Sequence, residues 1–171
     1  MATSMPFEQG PYLLAAFLCE KVLEERDGVK SAIRIIDRVT RTAIGPSPPE
    51  EMEPFDYEAT LLIKLKSGRA SGSYPLEVRL VKPSGESPTP LHQTVYFEGE
   101  EDRGIDIVVN MRVKFDITGI YWFQVYLGDV CLTQIPLRVI YMPQVRQIHG
   151  PSGGLPPAQQ PPRDSQSSQW Q

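Results

Sequence analysis

Tyr57-Glu58-Ala59-Thr60-Leu61-Leu62-Ile63-Lys64-Leu65-Lys66 decides the fold class. Tyr57, Ala59, Leu61, Ile63 and Leu65 fall on one side of a period-2 pattern, with Glu58, Thr60, Leu62, Lys64 and Lys66 on the other. Successive side chains of a strand point to opposite faces, so this alternation predicts a strand with one face in a core. Downstream, Leu76, Val78 and Leu80 alternate with Glu77 and Arg79, and Pro83-Ser84-Gly85-Glu86 supplies a turn. Leu91–Phe97 reads as a shorter strand. Ile105, Ile107, Val109, Met111, Val113 and Phe115 alternate with Asp106, Asn110, Arg112 and Lys114, a long half-buried strand. Ile120–Leu127 and Val130–Tyr141, joined at Gly128-Asp129, form the last hairpin.

Upstream, Gly45–Pro54 is a proline-rich acidic loop that excludes both a helix and an inner strand. Before it, Tyr12–Glu25 admits two readings. Leu13, Leu14, Phe17, Leu18 and Val22 also suit a helix. The turn signal Asp27-Gly28, and Ile33, Ile35 and Val39 on one β-period face beyond it, favour a long hairpin. About eight strands at short spacing with turn chemistry between them predict an all-β fold, an antiparallel immunoglobulin-like β-sandwich, with an open barrel-like sheet as the alternative. The domain is expected over residues 12–141, after a flexible N-terminus at 1–11. From Met142 the alternation stops and Pro, Gln, Ser and Gly dominate, so residues 142–171 read as a disordered tail and plain spacer.

A chain of 171 residues with 40% hydrophobic and 22% charged residues suits one globular domain. Its formal net charge of −4 lacks the basic field that supplies most nucleic-acid affinity, so no nucleic-acid partner is expected. Residues 1–11 carry no Lys or Arg, and the apolar run Tyr12–Cys19 is too short to span a bilayer. Neither export nor a membrane partner is expected, and a cytoplasmic location follows. Cys19 and Cys131, far apart and without a C-x-x-C spacing, read as two buried thiols. The rival reading, a bridge between them, would require export.

Gly119-Ile120-Tyr121-Trp122-Phe123 resembles the corner of immunoglobulin-like sandwiches, where a Tyr two residues before a core position caps the turn into the penultimate strand. An inward Tyr in any sheet is the other reading. Two larger blocks carry a wider resemblance. The first is Ala16-Phe17-Leu18-Cys19-Glu20 with Arg26-Asp27-Gly28 and Ile33-Arg34-Ile35-Ile36-Asp37-Arg38-Val39. The second is Gly119-Ile120-Tyr121-Trp122-Phe123-Gln124-Val125 with Gly128-Asp129 and Ile135-Pro136-Leu137-Arg138-Val139. Together they resemble an uncharacterised bacterial family of small immunoglobulin-like β-sandwich proteins, a domain of unknown function. The resemblance implies a cytosolic bacterial protein with a sandwich fold, and it brings no catalytic residues with it.

The chemistry-bearing residues are sparse. His92 and His149 are too few for a histidine-based metal site, so neither metal nor cofactor is expected. Glu98-Gly99-Glu100-Glu101-Asp102 reads as a solvated hairpin tip, since Ca²⁺ would need carboxylates converging from more than one loop. The chain has no G-x-S-x-G, P-loop or G-x-G-x-x-G motif. Hydrolysis remains open only through a carboxylate pair of Asp37 with Asp106 or Asp116.

Asp37 shares its side of a strand with Ile33, Ile35 and Val39, which puts a carboxylate on an apolar face. There it needs a partner, or it lines a shallow pocket. On the opposite side, Arg34, Ile36 and Arg38 form a basic and apolar stripe, and Trp122 points outward if Tyr121 and Phe123 point inward. Exposed Trp and Arg are favoured interface anchors. These residues predict a non-enzymatic protein-binding or adaptor module, with Arg34, Asp37, Arg38, Trp122 and Tyr126 as candidate partner-binding residues. The alternative is a carbohydrate- or small-ligand-binding sandwich that stacks its ligand on Trp122, Tyr126 and Tyr96.

Overall fold

The computed structural model describes residues 9–99 and 103–146. These hold nine strands: β1 (Tyr12–Glu24), β2 (Lys30–Ile36), β3 (Arg38–Gly45), β4 (Phe55–Lys66), β5 (Ser71–Val81), β6 (Leu91–Glu98), β7 (Gly104–Phe115), β8 (Gly119–Leu127) and β9 (Val130–Val145). They form two sheets, ordered β2-β1-β4-β7 and β3-β9-β8-β5-β6, which make an immunoglobulin-like β-sandwich. Most of the expected tail, and His149 within it, lies outside the described residues, as do positions 100–102 of the acidic run.

Tyr12–Glu24 is a strand because it is paired on both sides. Leu18 stands opposite Ile36 in β2 and Leu61 in β4, and a bulge between Leu13 and Ala15 adjusts the register. The β1–β2 turn forms at Asp27-Gly28, where Gly28 takes φ +83 and the Asp27 carboxylate accepts from the Val29 N–H at 3.1 Å. The central alternation of β4 is realised directly, with Leu61, Ile63 and Leu65 fully buried. They share the core with Phe97, Phe115, Tyr121, Phe123, Val125 and Leu137. Phe115 anchors its aromatic part, edge-on to Tyr121 with centroids 4.8 Å apart and to Phe55 at 5.6 Å.

Three expectations need correction. The run Ile33–Val39 is two strands: the chain bends at Asp37, leaves the first sheet and enters the second as β3. Because Leu18 pairs with Ile36, it is Ile36 that packs on the core, while Ile35 points outward with 63% exposure and Ile33 is exposed too. Asp37 is also exposed, so the carboxylate on an apolar face does not exist. Second, β3 runs parallel to β9, the one parallel pair among the described residues. That pairing carries β9 past Tyr141 to Val145, with Thr42 opposite Met142 and Gly45 opposite Val145. Third, only one thiol is buried. Cys19 is enclosed and its Sγ donates to the Thr60 carbonyl at 3.5 Å, whereas Cys131 is exposed on the other sheet.

The corner reading of Tyr121 is realised. Tyr121 is fully buried, and its hydroxyl reaches back to Asp116 and Ile117 in the turn before β8. Gly119 opens that strand at φ +137, where a Cβ would come within 2.8 Å of the Pro83 ring.

Candidate functional site

Strand β8 positions the site by alternation. Tyr121, Phe123, Val125 and Leu127 point into the core, which forces Trp122, Gln124 and Tyr126 onto the outer face of the second sheet. Trp122 is 37% exposed and lies between its register partners, Val81 on β5 and Pro136 on β9. The three make an apolar row across the sheet.

Below this row the face is charged and internally satisfied. The Arg79 guanidinium stacks on the Tyr126 ring, 4.1 Å from its centroid. Arg79 is ion-paired to Glu77, which also lies 3.7 Å from His92 Nδ1. The Arg79 guanidinium holds the Glu77 carboxyl below its ordinary range, and Glu77 in turn raises Arg79.

Above the row the charges are not satisfied. Arg38 of β3 and Arg138 of β9 are register partners, and both are exposed. Buried Val39, Leu137 and Val139 beside them fix both arginines on the same outer face as Trp122. Arg138 is also the register partner of Ile120, two residues before Trp122 on β8. Among the described residues neither arginine has an ion-pair partner. Like charges directly opposite one another are unfavourable in a sheet, and no acid among the described residues offsets this pair.

The sequence-derived candidates divide accordingly. Arg38, Trp122 and Tyr126 share this face. Arg34 does not: it is on β2 in the first sheet, 3.3 Å from Glu20 and at φ +52. Asp37 lies at the crossing between sheets, where its backbone carbonyl accepts from the Arg138 N–H at 2.9 Å. The stripe Arg34-Ile36-Arg38 is broken because the bend at Asp37 sends its two ends to different sheets. Tyr96 is exposed on the edge strand β6 opposite Ser73, four residues along from His92, and does not join Trp122 and Tyr126 in one stacking surface.

The proposed carboxylate pairs do not assemble either. Asp106 is held by Lys64 at 2.9 Å on the outer face of the first sheet. Asp116 is held by Lys82 at 2.7 Å and by Tyr121. Among the described residues, no three His, Cys, Asp or Glu side chains converge as a metal site requires.

Sequence reasoning missed Arg79, Pro136 and Arg138 as members of the site. The alternation placed Arg79 outward, but its stacking on Tyr126 depends on the β5–β8 pairing, and no local signal reveals that pairing. Arg138 meets Arg38 only through the parallel β3–β9 pair, the least local contact in the sheet.

The model of a family described as of unknown function matches residues 14–140, which take in the whole of this face except the C-terminal end of β9. No curated protein matches the chain. Among solved structures, an immunoglobulin-like protein from Pseudomonas aeruginosa is similar at 15% identity, over 77% of this chain and 98% of that one, with a TM-score of 0.33.

Proposed function

The chain belongs to DUF6941, a family of unknown function, and we propose that it is a non-enzymatic protein-binding module whose partner docks on the outer face of the β3-β9-β8-β5-β6 sheet. One observation carries the reading. Two arginines, Arg38 and Arg138, are register partners with no acid paired to them among the described residues, next to the half-exposed Trp122 and its flanking Pro136. A partner presenting a carboxylate beside an apolar side chain would relieve the repulsion and cover the indole in one contact. Tryptophan and arginine are the residues that most often dominate interface energetics. Arg79, already committed to Glu77 and Tyr126, would border the contact and add complementarity more than affinity.

The test compares three baits in a pull-down from the native host: wild type, Trp122→Ala with Arg38→Glu, and Ile35→Ser on the opposite sheet. Proteins held by the wild type and the Ile35 variant but lost with the double variant support the assignment. The same proteins recovered equally by all three baits would remove it.

A further inference from the structure

The two sheets do not close on one side. β6 begins at Leu91 opposite Val78, so among the described residues Arg79–Val81 of β5 have β8 on one side and no strand on the other. β7 is the outermost strand of the facing sheet. Between them lies a cleft of about 460 Å³, within the range of small-molecule sites. Its walls are side chains that alternation aims at the core, among them Leu80, Met111, Val113 and Phe123, with Leu91 at 48% exposure beside them.

The charged residues that line the cleft are all basic. Lys82, Arg112 and Lys114 line it and no carboxylate does, in a chain whose formal net charge is −4. Two of these cations are spoken for: Lys82 by Asp116 and Glu86, and Arg112 by Glu58 at 2.6 Å. Lys114 has no ion-pair partner among the described residues, although it stands opposite Asp56 in the β4–β7 register. Lys114 alternates outward from Met111 and Val113, so at the free edge of β7 its flexible side chain borders the mouth of the cleft. An apolar cleft with this one uncommitted cation at its mouth fits one ligand chemistry.

We infer that this cleft binds a small amphiphilic carboxylate, an acyl or aryl chain whose tail lies against Leu80, Met111 and Val113 and whose carboxylate pairs with Lys114. The tail would gain by leaving water, and the carboxylate would meet a cation that lacks an acid. A neutral alcohol of equal length would keep only the first contribution. A cationic amphiphile would find no carboxylate among the lining residues and would be repelled by Lys114. The inference is independent of the protein-binding face, which lies on the outside of the second sheet.

The test titrates the full chain with decanoate, decanol and decyltrimethylammonium below their micelle concentrations, by calorimetry and by the methionine methyl signals in NMR. Decanoate should bind one per chain, at least fivefold tighter than decanol, and should shift the Met111 methyl. Lys114→Gln, an exposed change, should reduce decanoate affinity at least threefold and leave decanol unchanged. Leu80→Trp, which fills the cleft, should abolish both. Absence of saturable decanoate binding, equal affinity for the cationic amphiphile, or indifference of decanoate to Lys114→Gln would overturn the inference.

Discussion

The Tyr121 hydroxyl lies 3.0 Å from the carbonyl of Ile117, four residues earlier in the chain. Its one proton serves that carbonyl or the Asp116 carboxylate, also 3.0 Å away. Its lone pairs face the backbone N–H groups of Asp116 at 3.2 Å and Ile117 at 3.3 Å. The turn between β7 and β8 is thus fastened to a fully buried ring in the centre of the sandwich. Tyr121→Phe keeps the ring and leaves those backbone groups without their partner. We expect a loss of about 1–3 kcal/mol, the cost of unsatisfied polar groups at a buried site. Urea midpoints for the two proteins measure it, and an unchanged midpoint would show that water replaces the hydroxyl freely.

Asp116 gives this corner a dependence on pH. Its carboxyl is held below the ordinary value of 3.8, first by the hydrogen bond from Lys82 and then by that from Tyr121. A carboxyl whose folded-state pKa is depressed stabilises the fold above its unfolded-state pKa, and that contribution is lost as the pH falls through the folded value. The stability difference between wild type and Asp116→Asn should therefore be flat from about pH 7 to about pH 5 and narrow below about pH 4. Denaturation followed across that range checks it. A constant difference down to the lowest pH would mean that the charge of Asp116 contributes nothing.

How much of this could be read from the sequence depended on the range of the contacts involved. Period-2 alternation placed Leu61, Ile63 and Leu65 inward and Trp122 outward, because strand geometry is local. The corner tyrosine was legible for the same reason, since its partners lie within five residues. The alternation of Ile33, Ile35 and Val39 misled. Parity along the chain continues through Asp37, but the sheet does not, and a crossing between sheets leaves no period in the sequence. The Arg38–Arg138 juxtaposition was likewise hidden, because it needs a parallel pairing across a hundred residues.

Arg34 sits in the left-handed region at φ +52, a conformation that glycine adopts without penalty and a side chain does not. Its ion pair with Glu20, at 3.3 Å and with the arginine side chain 74% exposed, is of the solvent-screened kind. Such pairs contribute roughly 0–1 kcal/mol, against roughly 1–2 kcal/mol for the strained backbone. Arg34→Gly should therefore raise stability by about 0.5–1 kcal/mol despite losing the pair. Arg34→Ala keeps the strain and should give no gain. Thermal or urea melts of both variants separate the two contributions, and an equal gain from alanine would point away from the backbone.

The two cysteines should react in sequence. Cys131 is exposed, while Cys19 is buried with its thiol pKa pushed up by desolvation. The thiolate is the reactive form, so burial suppresses both access and ionisation at Cys19. Alkylation with iodoacetamide under native conditions should modify Cys131 alone, and Cys19 should follow only when the chain unfolds. Peptide mass spectrometry reads the order. Equal native reactivity at both positions would contradict the enclosure of Cys19 between β1 and β4.

The parallel pair holds the last residues of β9. Thr42 through Gly45 of β3 face Met142 through Val145 of β9, and the Arg146 N–H donates to the Gly45 carbonyl at 2.9 Å. Among the described residues β3 is the edge of its sheet and β9 is its only strand neighbour. A chain stopped after Tyr141 therefore strands the second half of β3, whereas one stopped after Arg146 does not. Each backbone hydrogen bond contributes about 0.5–1.5 kcal/mol net, and Pro143 has no N–H to give, so the shorter chain should be less stable by about 1–3 kcal/mol. Comparing the urea midpoints of the two truncated chains isolates the five residues Met142 to Arg146. Coincident midpoints would place the structural boundary back at Tyr141.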